Sequence, residues 1–235
     1  MPIEENADGG EVAELHVLEA IEARILGSLI EKQATTPDAY PLTLNAVVAA
    51  CNQKSSRDPI SQYEPGEVGH ALRQLEGKGL VSGTLSARAS RYAHKFETGY
   101  HVTTRQRALL ALLMLRGPQT LNELYSRSER LADFPDVDEV RTVLERLASR
   151  APALVVRLQR AAGQREDRYM HLLCGTVSPD TAMQIVDSPE RPAPGLSERV
   201  SQLESLVAQL QEVIAELQAR PGNGGPAADD GTGKA

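Results

Sequence analysis

The apolar residues of the chain run through the same series of spacings twice. From Leu18, the positions Ile21, Ile25, Leu26, Leu29 and Ile30 recur at helical spacing. Thr35-Thr36-Pro37 stops this first helix, because proline disfavours a helical residue before it. Thr43 is a suitable N-cap for a second helix that carries Leu44, Val47 and Val48 and ends near Asn52. Glu64-Pro65 opens a third, with proline in the first turn where its missing N–H costs nothing, and Gly79 closes it. Val68, Ala71, Leu72 and Leu75 form the buried stripe of that helix. At about 100° per residue, His70, Arg73, Gln74 and Gly77 then fall on its outer face. Residues 80–85 and 91–96 alternate as two strands around a small-residue tip at Ala87-Arg88-Ala89.

The plan then repeats. Thr103-Thr104 caps a helix through Ala108, Leu109, Leu112, Leu113 and Leu115, which Gly117-Pro118 ends. Thr120-Leu121-Asn122 starts the next helix as Thr43-Leu44-Asn45 did. Asp136 or Asp138 opens the last, with Val140, Val143, Leu144 and Leu147 as its buried stripe. Its outer face centres on Asp138, Thr142, Glu145 and Ser149, flanked by Arg141 and Arg146. Residues 154–160 and 168–173 are its strands, joined by an exposed turn at Ala162-Gly163-Gln164. Glu67-Val68 matches Glu139-Val140, and Arg91-Tyr92-Ala93-His94 matches Arg168-Tyr169-Met170-His171.

A three-helix unit ending in a hairpin predicts a winged helix-turn-helix. The expected fold is therefore α+β and mainly helical, with one winged-helix domain over 16–98 and a second over 99–175. A Pro- and Gly-containing linker occupies 176–195. Beyond it Leu196, Leu203, Leu210 and Leu217 fall every seven residues, with Val200, Val207 and Ile214 at the other core position. β-Branched residues at one core position and leucine at the other favour a parallel two-stranded coiled coil over 196–220, and so a homodimer. The alternative is a helix that folds back on the domains through Leu206 and Val213. Residues 1–15 and 221–235 read as disordered tails.

Composition changes this picture in a few places. With 235 residues and 41% hydrophobic content the chain can hold one large core or two small ones, and the repeat argues for two. The net charge of −7 divides into −5 over 1–15, 0 over 16–98, +3 over 99–175 and −5 over 176–235. Acidity thus lies in the tails, and the second folded half is mildly basic through arginine alone. No apolar run approaches the roughly 18 residues that span a bilayer, and Glu4, Glu5, Asp8 and Glu11 stand where a signal peptide carries bases. A soluble cytoplasmic protein with no membrane partner is expected. Cys51 and Cys174 are far apart and lack metal-ligand spacing, so they read as small buried hydrophobes, with no metal and no cofactor. No GxSxG, HExxH, GxGxxG or Walker pattern occurs, and His94 and His171 read as structural, so no enzyme is expected. An aromatic fraction of 3% argues against stacking platforms for single strands.

What remains is recognition. A winged helix lays its third helix in the major groove and its wing along the backbone. His70, Arg73 and Gln74 are base-reading types, since arginine bonds guanine and glutamine adenine bidentately, although Glu67 and Glu76 flank them. The polar run 52–59 offers Lys54, Ser55, Ser56 and Arg57 to phosphates, or is a solvated loop; without glycine it cannot form a P-loop. Arg88 and Arg91 lie on the first wing, and Arg157, Arg160, Arg165 and Arg168 on the second. Each phosphate contact needs a cation, so one copy binds weakly, while two copies, or four in a dimer, add their sites. The leading expectation is a non-enzymatic protein that binds double-stranded DNA, of the transcriptional-regulator kind. The alternative is a protein-interaction adaptor, motivated by the neutral first domain and the acidic face near Asp138 and Glu145.

The run Glu31-Lys32-Gln33-Ala34-Thr35-Thr36-Pro37-Asp38-Ala39-Tyr40-Pro41-Leu42-Thr43-Leu44-Asn45 resembles the YceH family of bacterial proteins. Cys51-Asn52-Gln53-Lys54-Ser55-Ser56-Arg57-Asp58-Pro59 and Leu72-Arg73-Gln74-Leu75-Glu76 continue the likeness, which covers roughly residues 18–175. It implies tandem winged helices. It implies no reaction, because the family's function is unknown and it supplies no functional residues to carry over.

Overall fold

The computed structural model describes residues 16–85, 89–160 and 166–176. Over these the chain is a mixed α+β fold of seven α-helices and five short strands. In order they are α1 (Ala20–Thr35), β1 (Leu42–Thr43), α2 (Leu44–Cys51), α3 (Pro65–Gly77), β2 (Val81–Leu85) and β3 (Ser90–His94). There follow α4 (Phe96–Tyr100), α5 (Thr104–Arg116), α6 (Leu121–Ser128), α7 (Val137–Ala148), β4 (Val155–Leu158) and β5 (Arg168–His171). Both sheets are antiparallel, one in the order β1-β3-β2 and one of β4 and β5. No helix among the described residues is long and apolar enough to cross a membrane. The heptad positions Leu196, Val200, Leu203, Val207, Leu210, Ile214 and Leu217, both tails, Arg88 and Arg165 lie outside the described residues.

The polar residues at helix starts act as caps. Thr43 Oγ1 accepts the Ala46 N–H and Thr120 Oγ1 the Glu123 N–H, each at 3.3 Å. Asp136 Oδ1 accepts the Glu139 N–H at 2.8 Å, and the Glu64 N–H donates to Glu67 Oε2 at 2.7 Å. Such a cap contributes about 1 kcal/mol by satisfying donors that have no partner within the helix.

The repeat is geometric as well as sequential. In one hairpin Val81 pairs with His94 and Gly83 with Tyr92; in the other Val155 pairs with His171 and Arg157 with Tyr169. Each hairpin is joined to its helix by the same bonds. The Leu80 N–H donates to Leu75 O at 2.9 Å and the Leu154 N–H to Leu147 O at 3.0 Å. The Lys95 N–H then donates to Leu80 O and the Leu172 N–H to Leu154 O. A third strand is present in reduced form in the second copy: where Leu42 pairs with Tyr92, Gln119 makes an isolated bridge to Tyr169.

The stripes read from the sequence are buried: Val68, Leu72 and Leu75 on α3, and Val140, Val143, Leu144 and Leu147 on α7. Two features differ from the expectation. Phe96 does not extend the strand 91–96 but opens α4, where its buried ring lies 4.7 Å from that of Tyr100. The buried side chains of both repeats also form one continuous cluster instead of two small cores. The cause is the packing of α1 against α5. These helices are buried almost all round, over residues 22–30 and 108–115. At their contact Gly27 lets the helices approach closely, since a Cβ there would lie 2.9 Å from Leu115 Cγ.

Candidate functional site

The polar loop 52–59 does not stand in solvent as a unit. The Asn52 side chain clasps the backbone of Tyr63 with two hydrogen bonds, at 2.8 and 2.9 Å. The Asp58 N–H donates to Leu115 O at 2.9 Å, and the buried Arg24 donates through Nη2 to Pro59 O at 2.7 Å. The loop is thereby held against the C-terminal end of α5. Arg57, expected among the phosphate contacts, is turned inward: its side chain is fully covered. It donates to Ala50 O, Ser56 O and Gln53 Oε1, and to both oxygens of Glu31 at 3.2 and 2.6 Å. With those bonds made it has nothing left for an external phosphate, and the sequence-based assignment is corrected accordingly. Lys54 and Ser55 are exposed. Ser56 adopts φ 60°, and its hydroxyl accepts a 2.6 Å bond from Arg116 Nη2.

On α3, His70, Arg73 and Gln74 are exposed together, with Gln74 Nε2 3.4 Å from His70 Nε2. Carboxylates surround them. Glu64 and Glu67 close the start of the helix, and Glu76 Oε1 accepts the Gly83 N–H of β2 at 2.7 Å. Beside this face a groove of about 630 Å³ runs between α1 and α3, lined by Ile21, Tyr63 and Ala71 together with Glu19, Glu22, Glu67, His70 and Gln74. Arg91 on β3 is exposed and bonds Pro41 O at 2.8 Å.

The second hairpin is less basic than its composition. Arg157 binds Asp167 through Nε at 2.7 Å and also through Nη2. This pairing raises the Arg157 pKa and lowers that of Asp167. The backbone N–H of Arg160 also donates to Asp167, at 3.1 Å, while its side chain is exposed. Arg168 bonds Pro118 O and Glu123 Oε2, at 3.2 and 3.4 Å. Nearby Arg141 is paired to Asp138 at 2.5 Å, and Asn122 to Glu166 at 3.0 Å. The open cleft of about 1020 Å³ between α6, α7 and this hairpin is therefore lined by charges of alternating sign.

His94 and His171 sit at matching positions of the two hairpins and are buried to different degrees. His94 Nε2 lies 2.8 Å from Gln33 Oε1, and its Nδ1 is 3.4 Å from the Phe96 N–H. This arrangement suits the neutral ring with its proton on Nε2. Burial first, and then Arg107, lower its pKa to about 4. Burial alone lowers that of His171 to about 4. Among the described residues no group of three or more His, Cys, Asp or Glu is placed to hold a metal ion.

Sequence reasoning followed the wing arginines and missed a second set, Arg116, Arg127 and Arg130, which gather near Ser56 around a pocket of about 260 Å³. The available signal was an arginine at the predicted end of one helix and a pair three residues apart, one on the next helix and one in the turn after it.

The family model described as a protein of unknown function, DUF480, matches residues 18–164. A UPF0502 protein of Stenotrophomonas maltophilia strain K279a is 52% identical, over 86% of this chain and 94% of its own length. Another, from Pseudomonas aeruginosa strain LESB58, is 58% identical over 75% of this chain and 80% of its own. A third, from Xanthomonas campestris pv. campestris strain B100, is 52% identical over 87% and 94%.

Proposed function

The chain belongs to the DUF480 family, in keeping with the YceH-like resemblance of residues 31–59, and for a member with this geometry we propose a non-enzymatic adaptor that joins proteins through tandem winged helices. One observation carries the reading: three of the cations expected to meet phosphates are matched by carboxylates of the chain itself. Arg57 is held by Glu31, Arg157 by Asp167 and Arg168 by Glu123, and α3 itself carries Glu67 at its start and Glu76 near its end. Binding to duplex DNA draws mainly on cations free to displace its counterions. A mixed-charge surface beside a groove lined by Ile21, Tyr63 and Ala71 with Glu19, Glu22 and Glu67 is better matched to a protein segment carrying apolar and basic side chains. The heptads at Leu196, Leu203, Leu210 and Leu217 support a pair of chains, each carrying two such units.

A second reading, DNA binding, draws on one specific observation: His70, Arg73 and Gln74 are exposed side by side on the helix that a winged helix inserts in the major groove. One pair of measurements separates the two. Fluorescence anisotropy of the full-length protein with mixed genomic duplexes, at low and physiological salt, gives no saturable binding if the chain is an adaptor. Saturable, salt-dependent binding that Arg73→Ala weakens would replace that reading with DNA. Conversely, nuclease-resistant capture of a protein by the wild type that is lost on Ala20→Arg, an exposed position of the groove, supports the adaptor.

A further inference from the structure

We propose that the pocket between α5, α6 and the loop 52–59 is a binding site for a small oxyanion of the phosphate class. Ser56 comes to it from the first repeat, and Arg116, Ser126, Arg127 and Arg130 from the second. Arg116 ends α5, is half-buried, and directs one amine to the Ser56 hydroxyl at 2.6 Å. Arg127 bonds Gln119 Oε1 at 2.7 Å and Glu123 Oε1 at 3.0 Å, which fixes its guanidinium at the wall. Arg130 is exposed and makes no ion pair among the described residues.

The acids at the pocket only partly offset these cations. Glu31 gives both oxygens to Arg57, and Glu123 is shared between Arg127 and Arg168. Glu129, exposed, is the other carboxylate that lines the pocket with Glu31 among the described residues. Burial lowers the pKa of Arg116, and the repulsion of nearby Arg127 and Arg57 lowers it further, while Glu31 and Glu123 raise it. An anion would relieve that repulsion, and hydrogen bonds from planar guanidinium groups suit the oxygens of phosphate. The size narrows the class. About 260 Å³ lies below the roughly 300–1,000 Å³ of pockets for drug-sized ligands, so the site admits phosphate or a phosphomonoester with a small substituent. A ligand there would tie the loop of one repeat to two helices of the other, whether the outer faces meet protein or DNA.

Calorimetric titration of the full-length protein in chloride buffer, with inorganic phosphate in one arm and glycerol 3-phosphate in the other, tests the proposal. Saturable heat and a rise in melting temperature are expected, and the tighter arm distinguishes free phosphate from a phosphomonoester. Arg130→Gln should weaken binding by about ten-fold or more, the scale of one lost charge-assisted bond. The exposed Arg146→Gln on α7 should leave it unchanged. Absence of saturable binding in both arms, or equal affinities for Arg130→Gln and wild type, would overturn the assignment. Arg130 is exposed and has no ion pair to lose among the described residues, so its variant remains readable even where Arg116→Gln fails to fold.

Discussion

The guanidinium of Arg57 is covered and bonded to both oxygens of Glu31, so removing it leaves a half-buried carboxylate with only Lys32, 4.0 Å away, as counter-charge. Breaking a buried pair in this way costs about 3–5 kcal/mol. Arg57→Ala should lower the urea midpoint by a corresponding amount, and Glu31→Gln combined with Arg57→Met should recover part of the loss; equal stability of Arg57→Ala and wild type would refute the pair's role. The buried histidines make a second prediction at this scale. Their pKa values of about 4 in the fold lie below the ordinary 6.5, so between those limits the unfolded chain binds more protons. Stability is therefore lost as pH falls from about 6.5 toward 4, by up to about 1.4 kcal/mol per pH unit per histidine. Thermal melts at pH 7, 6 and 5 check it, and His94→Gln should flatten the slope. Single positions were legible when burial followed from periodicity, as for Val68, Leu72 and Leu144. Arg57 was not, because its partner lies 26 residues away on another helix and only the folded chain brings them together.

Elements were legible in proportion to their length and punctuation. α3 and α7 announce themselves by an apolar stripe of helical period, a cap at the start and small or polar residues at the end. α4 carries too few residues to display a period, and Phe96 continues the alternation of the strand before it, so it was read as strand. The close contact of α1 and α5 was also hidden, since Gly27 in a helix gives no sign of what will lie against it. Gly27→Val places branched carbons where Leu115 already stands, which should destabilise the protein by about 1–3 kcal/mol through overpacking. Chemical denaturation measures this. Leu115→Ala in the same chain should restore part of the loss, and a Gly27→Val protein as stable as wild type would remove the contact from the account.

Across the whole molecule the charge pattern of the sequence proved a poor guide to the charge pattern of the surface. Counting gives +3 over 99–175, yet Arg127, Arg141, Arg157 and Arg168 are each matched by a neighbouring acid. The repeat, by contrast, was legible because matching motifs sit at matching register, down to Tyr92 and Tyr169. What the repeat could not say is that the copies share a core, because nothing in either copy alone reports the seam between α1 and α5. A shared core predicts one cooperative transition: circular dichroism at 222 nm and tyrosine fluorescence should give the same urea midpoint. Two separated transitions would show that the halves unfold independently.

That seam also has a consequence for how the protein is made. The face of α1 around Gly27, on which the buried Ala23 and Ile30 also fall, is covered by a helix the ribosome adds later. At synthesis rates of about 5–20 residues per second, the interval between the end of α1 and the end of α5 is roughly 4–16 seconds. During it the nascent chain exposes an apolar strip of its own future interior. Chains arrested before α5 emerges should be held by a chaperone that binds hydrophobic surface, and chains arrested after β5 should be released; equal capture of both would show that the first repeat protects itself.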